Sequence, residues 1–149
     1  MSTQEAHPRQ LVTFQVADYS FGLNVLDVQE VLTHQQMTHV PLAPSEVRGL
    51  INLRGQIVTA IDMRKRLGLP ELSDPGLEMN VIVQLGDGSV SVIVDNVGDV
   101  IAVEPGQFEP PPSTLKSPIK DIILGVYKLN DKLLLQLNPE RACEVQGAI

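Results

Sequence analysis

The sequence predicts an all-β fold of short antiparallel strands, arranged as barrels rather than as one open sheet. Apolar and polar residues alternate with a period of two in about ten short segments. Glycine, proline, aspartate and asparagine separate these segments, as they do in turns. No helical pattern is long enough to cross over between parallel strands. Closure into barrels is favoured because so many short strands must cover their edges.

The first strands follow directly from this alternation. Residues 10–16 alternate with a period of two, and a hairpin turn is expected near Ala17 and Asp18. The pattern resumes over residues 19–25 and again over 28–33. Residues 37–41 form a short extended piece, because a residue that precedes proline favours the β region.

Two further strands and one helical turn occupy the middle of the chain. Residues 50–54 and 56–61 are strands separated by Gly55, which indicates a tight turn or bulge. Asp62 is a suitable N-cap for a single helical turn that ends at Gly68.

The second half is again strand. Residues 79–85 and 89–94 form the clearest predicted hairpin, joined by Asp87 and Gly88, because Asp-Gly accepts the positive φ of a type I′ turn. A strand over 97–103 and a rigid, proline-rich loop follow.

The chain is expected to end in a hairpin and a helix. Residues 119–129 and 132–137 are the predicted strands of that hairpin. Asn138 and Pro139 then suit the cap and first turn of a short helix over 139–145.

Composition excludes several classes of protein. The 149 residues suit a single domain, 1–149. The net charge of −7 disfavours nucleic acid as a partner, and 3% aromatic residues with no tryptophan argue against a base-stacking surface. The single cysteine, Cys143, excludes an intramolecular disulfide and a cysteine-based zinc site, and it is interpreted as a small apolar residue on the terminal helix.

No residue pattern indicates catalysis, a cofactor or a metal site. His7 lies in a polar segment, and the spacing of His34 and His39 fits no metal-binding motif. Nucleophile motifs and phosphate-binding loops are lacking. No apolar run approaches the ~20 residues that span a bilayer, and the first ten residues lack a signal sequence, so we expect a cytoplasmic protein without direct membrane insertion.

Charge is unevenly distributed. Residues 67–115 contain eight acidic residues and no lysine or arginine, whereas residues 48–66 contain five basic residues and one acid, Asp62. These segments are either solvated loops and strand edges or two faces that meet different proteins. Glu30 and Arg54 adjoin apolar runs, where charges are often paired, but the residues alone do not establish that they pair with each other.

Residues 47–64 (VRGLINLRGQIVTAIDMR) resemble the signature of the chemotaxis coupling protein family, the CheW family. Segments 19–25, 26–31 and 92–100 resemble further family motifs, as do 108–112 and 133–135, so that the resemblance extends over about residues 10–145. The sequence departs from the family where Thr59 replaces proline, Met63 replaces leucine, Ser91 replaces glycine and Asn138 replaces a frequent aspartate.

The resemblance implies a fold of two packed, five-stranded SH3-like barrels with short helical turns. We place the first barrel at residues 19–78 and the second at 79–138. The strand in residues 10–18 is free to pair with the second barrel, and residues 139–149 form the C-terminal helix and tail.

The resemblance also implies a function. The family couples the cytoplasmic tips of chemoreceptors to the regulatory domain of a CheA-type histidine kinase, without catalysis, within membrane-bound receptor arrays. The receptor's helical tip would lie in a groove between the barrels. The residues that match this groove are Val28, Glu30, Gly49, Arg54, Val94, Val97 and Val100, and Glu30 and Arg54 match a family charge pair.

Two alternatives remain open at the level of sequence. One is a small ligand-binding or hydrolytic β-barrel that uses His34, His39 or an aspartate in a pocket. The other is a CheW-like adaptor of a pathway other than chemotaxis, such as one controlling pili.

Overall fold

A computed structural model of the protein describes residues 9–72, 74–130 and 132–144, and it confirms the all-β class. Over these ranges the chain forms eleven strands and two short α-helices. The strands are β1 (Arg9–Val16), β2 (Tyr19–Asn24), β3 (Val28–Leu32), β4 (Val47–Leu53), β5 (Gln56–Asp62), β6 (Met79–Leu85), β7 (Gly88–Val94), β8 (Asn96–Val103), β9 (Phe108–Glu109), β10 (Ile123–Lys128) and β11 (Leu133–Leu137). The helices are α1 (Met63–Arg66) and α2 (Pro139–Ala142).

The strands form two sheets. The terminal sheet has the order β8-β1-β2-β11-β10-β9, and the central sheet has the order β3-β6-β7-β5-β4. The terminal sheet has six strands instead of the expected five. The additional strand is β9, a two-residue strand within the predicted proline-rich loop, which pairs with β10.

Two strand pairs correct the expectation of purely antiparallel pairing. β2 pairs with β11 in parallel, and so does β5 with β7. Parallel neighbours need a long connection, which is usually a helix. Here the intervening strands themselves supply that length, so the lack of a long helical pattern did not exclude parallel pairs.

The two sheets do not divide the chain at residue 79, and that predicted boundary is wrong. β6 and β7 pair with β3 and β5, so the central sheet takes residues 28–94 as one continuous stretch. The terminal sheet takes strands from both sides of it, because β1 pairs with β8 and β2 pairs with β11. The predicted strand 10–18 therefore lies in the same sheet as β8, β10 and β11.

Local corrections concern the ends of elements. Val25, the predicted last residue of the second strand, instead begins the 3₁₀ turn Val25–Asp27. Lys120–Ile122 is a 3₁₀ turn within the predicted strand 119–129. The β6–β7 turn consists of Gly86 and Asp87, because Leu85 pairs with Gly88, and the positive φ of 55° falls on Gly86. The predicted extended piece 37–41 makes a single bridge, between Thr38 and Leu50. The predicted end of the last helix, Val145, lies outside the described residues.

The predicted helix caps are both present. The Asp62 carboxylate accepts hydrogen bonds from the backbone N–H groups of Arg64 and Lys65, at 3.0 and 3.3 Å. Asn138 does the same at the start of α2, where Pro139 takes the first helical position.

The main hydrophobic core lies between the two sheets. It joins side chains of the terminal sheet, such as Phe14 and Phe21, to those of the central sheet, such as Val81 and Val92. The opposite face of each sheet is also buried, around Tyr127 in the terminal sheet and around Ile51 in the central sheet. A sheet that buries both faces in this way must curl around its own smaller core, which gives two barrels packed back to back.

Candidate functional site

Arg54 occupies the tip of the β4–β5 hairpin. Leu53 pairs with Gln56, so Arg54 and Gly55 form a two-residue turn, with φ of 49° and 89°. The Asn52 side-chain oxygen accepts a hydrogen bond from the Gly55 N–H at 3.0 Å. Positive φ is uncommon for a residue with a side chain, and the turn presents this arginine outward, with 67% of its side chain exposed.

Glu30 lies on β3 and forms an ion pair with Arg54. β3 and β4 are the two opposite edges of the central sheet, so the ion pair connects one edge to the turn that follows the other. The bridge between Thr38 and Leu50, with two backbone hydrogen bonds of 2.9 Å, connects the segment that follows β3 to β4. Together these contacts close the curled sheet, and the structure thus brings together the predicted charge pair.

Polar side chains lie beside Arg54 in an opening of the central sheet. Ser89 Oγ donates a hydrogen bond to Gln29 Oε1 at 2.6 Å, and Gln56 lines the same opening. Leu53 lines it as well, together with the buried side chains of Val58 and Ile82. Arg54 is therefore part of an open, mostly polar rim.

The other predicted groove residues divide into two groups. Val28 and Val97 are half-buried against the main core, and Val100 on β8 is 53% exposed. Val94 is buried in the main core. Gly49 is buried as well: a Cβ added there would lie 2.8 Å from the Thr38 carbonyl oxygen. Val94 and Gly49 thus support the surface from within and offer no side chain to a partner.

Asp95 joins the two sheets, and sequence reasoning did not assign it a role. It lies between the end of β7 in the central sheet and the start of β8 in the terminal sheet. Its carboxylate accepts two hydrogen bonds from Arg64, from Nε at 2.8 Å and from Nη2 at 2.6 Å, and a third from the Ala17 N–H at 2.7 Å. Arg64 belongs to α1, directly after β5, whereas Ala17 lies in the β1–β2 turn.

These contacts shift the pKa values of both groups. Burial acts to raise the pKa of Asp95, but the hydrogen bonds from Arg64 and Ala17 outweigh it, and the pKa lies below its ordinary value. The hydrogen bond to Asp95 raises the pKa of Arg64. Both side chains are only 15% exposed, so the pair is little screened by solvent.

A second buried charge cluster lies within the central half of the chain. Arg48 donates to both oxygens of Glu78, each at 2.9 Å, and to Asp62 Oδ2 at 2.6 Å. Asp62 and Glu78 are almost fully buried. The hydrogen bond to Glu78 is the main cause that raises the pKa of Arg48. The planar arginine fork can bond one carboxylate with two parallel N–H groups and still donate to a second, a geometry that the compact ammonium of a lysine does not match.

The basic segment and the acidic segment predicted from sequence pair partly with each other. Arg48 bonds Glu78, Arg64 bonds Asp95, and Lys65 approaches Glu71 at 3.5 Å. Three of the five basic residues thus pair with three of the eight acidic residues, which weakens the hypothesis that the two segments form faces of opposite sign for different partners. Arg54, paired with Glu30, is the most exposed arginine of these ion pairs.

The histidines and the cysteine do not converge. His34 and His39 are both exposed, and His7 lies outside the described residues. Within residues 9–72, 74–130 and 132–144, no three His, Cys, Asp or Glu side chains are placed to hold a metal ion. Burial raises the pKa of the Cys143 thiol to about 12. In the part of the chain that the structure describes, no helix is long and apolar enough to cross a membrane.

Comparison with known proteins identifies the family. A profile of the CheW-like domain matches residues 10–146. The chain belongs to the CheW family. It is 32% identical over 133 residues to "Chemotaxis protein CheW" of Treponema pallidum, covering 87% of this chain and 78% of the relative. It is 31% identical to the protein of the same name from Bacillus subtilis, covering 84% and 80%.

A solved CheW structure has the same fold. The scaffolding protein TtCheW of Thermoanaerobacter tengcongensis superposes with a TM-score of 0.85 at 31% identity, covering 94% of this chain and 95% of the other. The resemblance seen in residues 47–64 is therefore confirmed at the level of family and fold.

Two features of this CheW-like domain could not be read from its sequence. Glu78 and Asp95, which Arg48 and Arg64 bond, are 30 and 31 residues away. They lie directly before β6 and directly after β7, strands whose pairing with β3 and β5 was not predicted. The available signal was the isolated acid at the end of an apolar strand: Asp95 directly after β7, and Asp62 as the last residue of β5. Such an acid needs a donor, but the sequence does not say which one.

Proposed function

We propose that this chain is a non-catalytic adaptor of chemotaxis signalling, which couples the cytoplasmic tips of chemoreceptors to the regulatory domain of a CheA-type histidine kinase. Membership of the CheW family over residues 10–146 is the observation that carries the proposal. The match extends over nearly the whole chain, so the likeness is not confined to one motif.

The described surface supports an adaptor that works by contact. The Glu30–Arg54 pair stands on an open rim of the central sheet, and Val100 presents an apolar side chain on an edge strand of the terminal sheet. A helical receptor tip with an apolar stripe and polar flanks would find both kinds of contact there. The kinase contacts are proposed to lie at the barrel ends.

Binding measurements with both partners test this function. We expect the protein to bind a receptor's cytoplasmic helical hairpin and the isolated regulatory domain of a CheA-type kinase in titrations, and to recruit the kinase to receptor-containing membranes. Binding to neither partner would overturn the proposal.

Charge variants of the rim then test the site. Glu30→Arg and Arg54→Glu each leave two like charges facing each other, and the double variant restores a pair of reversed polarity. If the pair matters for receptor binding only because it links β3 to the β4–β5 turn, the double variant recovers binding. If the receptor contacts the individual charges, all three variants bind weakly. Lys128→Glu is the control, because Lys128 is also 67% exposed and pairs with Glu109 on the terminal sheet.

A further inference from the structure

The two sheets are connected covalently at two places. One is the 3₁₀ turn Val25–Asp27, between β2 and β3, and the other is the single residue Asp95, between β7 and β8. In the first connection the side-chain bond is local, from the Leu26 N–H to the Asn24 side-chain oxygen. The second connection carries bonds to both sheets, so it is the more restrained of the two.

Asp95 is held at four points. Its own N–H donates to the Gln15 carbonyl of β1 at 3.0 Å, and its carboxylate accepts from Ala17 in the following turn. These two bonds fix it to the terminal sheet. The two-pronged bond from Arg64 fixes the same carboxylate to the central sheet, and Arg64 is itself held by a bond from Nη1 to the Pro70 carbonyl at 2.8 Å.

The main core restrains the two sheets in a different way. Its apolar contacts hold the sheets together by close packing, and hydrophobic attraction itself is non-directional. A two-pronged arginine–carboxylate bond is directional, because each N–H group must point at its own oxygen. The contact at Asp95 thus adds a directional restraint on the angle between the packed sheets.

We propose that Asp95 is a positioning residue, which fixes the angle between the two sheets and thereby the spacing between the receptor contacts on β3 and those on β8. β3 belongs to the central sheet and carries Val28 and Glu30, whereas β8 belongs to the terminal sheet and starts directly after Asp95. Val97 and Val100 are the β8 contacts. The claim about the spacing of receptor contacts rests on the proposed function. The claim about the angle does not, because the angle is a property of the free protein.

Two variants separate the bonds of Asp95. Asp95→Asn keeps an oxygen for the Ala17 N–H and removes the charge that Arg64 bonds. Arg64→Gln leaves Asp95 intact and removes its partner on α1, the helix that follows β5 of the central sheet, so it also serves if Asp95→Asn does not fold. Lys65→Gln is the matched control, because Lys65 is the next residue of α1 and its partner Glu71 lies outside the terminal sheet.

The experiment measures distances between spin labels in the full-length protein. Labels are attached at two exposed positions, Gln10 on β1 and Asp87 in the β6–β7 turn, in a Cys143→Ala background. We expect Asp95→Asn and Arg64→Gln to shift or broaden the distance distribution, and Lys65→Gln to leave it as in the parent. An unchanged distribution in both test variants would overturn the proposal.

Titration with a receptor's cytoplasmic hairpin completes the test. Because couplings of this kind are typically worth 5- to 150-fold in affinity, we expect the two test variants to bind at least about fivefold more weakly than the Lys65→Gln control. A changed distance distribution with unchanged affinity would refute the positioning role. If the parent protein itself binds no receptor hairpin, the proposed function fails, while the distance measurement still decides whether Asp95 sets the angle.

Discussion

Arg54, in the turn that follows edge strand β4, forms an ion pair with Glu30 on β3, the opposite edge strand of the same five-stranded sheet. Edge strands expose unpaired backbone groups and invite pairing with other chains. The side-chain pair brings these two edges together where no backbone ladder joins them. The residues that the family resemblance assigns to the receptor are thus also residues that close a barrel.

Arg54→Ala should separate these two roles. Because the Arg54 side chain is 67% exposed, its ion pair is screened, and we expect the free energy of unfolding to fall by less than about 1 kcal/mol. Binding to the receptor hairpin should weaken markedly. Urea denaturation and titration measure the two effects, with Lys128→Ala as the control. A loss of stability large enough to unfold the protein would show that the residue is structural.

Gly49→Ala should be destabilising, because the new Cβ would lie 2.8 Å from the Thr38 carbonyl oxygen and 3.0 Å from the Met37 Cβ. Overpacking of this kind typically costs about 1–3 kcal/mol. Gly88→Ala is the control, since a Cβ there would meet nothing within 4 Å. Thermal denaturation of both variants measures the cost. Equal melting temperatures would contradict the close packing of Gly49 under the segment that follows β3.

Arg48→Met should be among the most damaging single changes. It leaves Asp62 and Glu78 buried without their cation, and breaking a buried ion pair from one side costs about 3–5 kcal/mol. The same substitution at exposed Arg54 should cost far less. Urea denaturation of the two variants side by side gives the comparison, and similar losses would show that the Arg48 cluster is not buried in solution.

The pH dependence of the unfolding free energy should reveal the contribution of the ionised Asp95 carboxylate. Its folded pKa is depressed, so its contribution is present above the unfolded pKa of 3.8 and is lost as the pH falls through the folded value. Asp95→Asn removes that contribution. The difference in unfolding free energy between the parent and the variant should therefore be constant from about pH 5 to 7 and shrink below pH 3.8. A difference that grows on acidification would contradict this assignment.

Cys143 should react slowly in the folded protein. The thiolate is the reactive form, and burial raises the pKa of this thiol to about 12. At pH 8 we expect alkylation by iodoacetamide to be much slower than in the same protein unfolded in urea. Mass spectrometry over time measures both rates. Equal rates would place the side chain at the surface.

Much of the fold could be predicted because it depends on local patterns. The period-two alternation located most strands, and the caps at Asp62 and Asn138 act over two or three residues. The charge pair was implied by resemblance, since 24 residues separate Glu30 from Arg54 and no local pattern connects them.

What the sequence could not supply was long-range pairing. The parallel contacts of β2 with β11 and of β5 with β7 depend on how distant segments meet. The mistaken boundary at residue 79 has the same origin, because the sequence pattern of the β6–β7 hairpin is compatible with either sheet. Val94 was assigned to an open groove, since a valine in a strand carries no signal that distinguishes the core from a surface.

The terminal sheet has a consequence for synthesis on the ribosome. β2 ends at Asn24, and the strand that pairs with it, β11, begins only at Leu133. The central sheet lies wholly between them and is complete once β7 has emerged. The first hairpin therefore cannot pair with β8 until the whole central sheet has been synthesised, and it cannot pair with β11 until residues 133–137 follow.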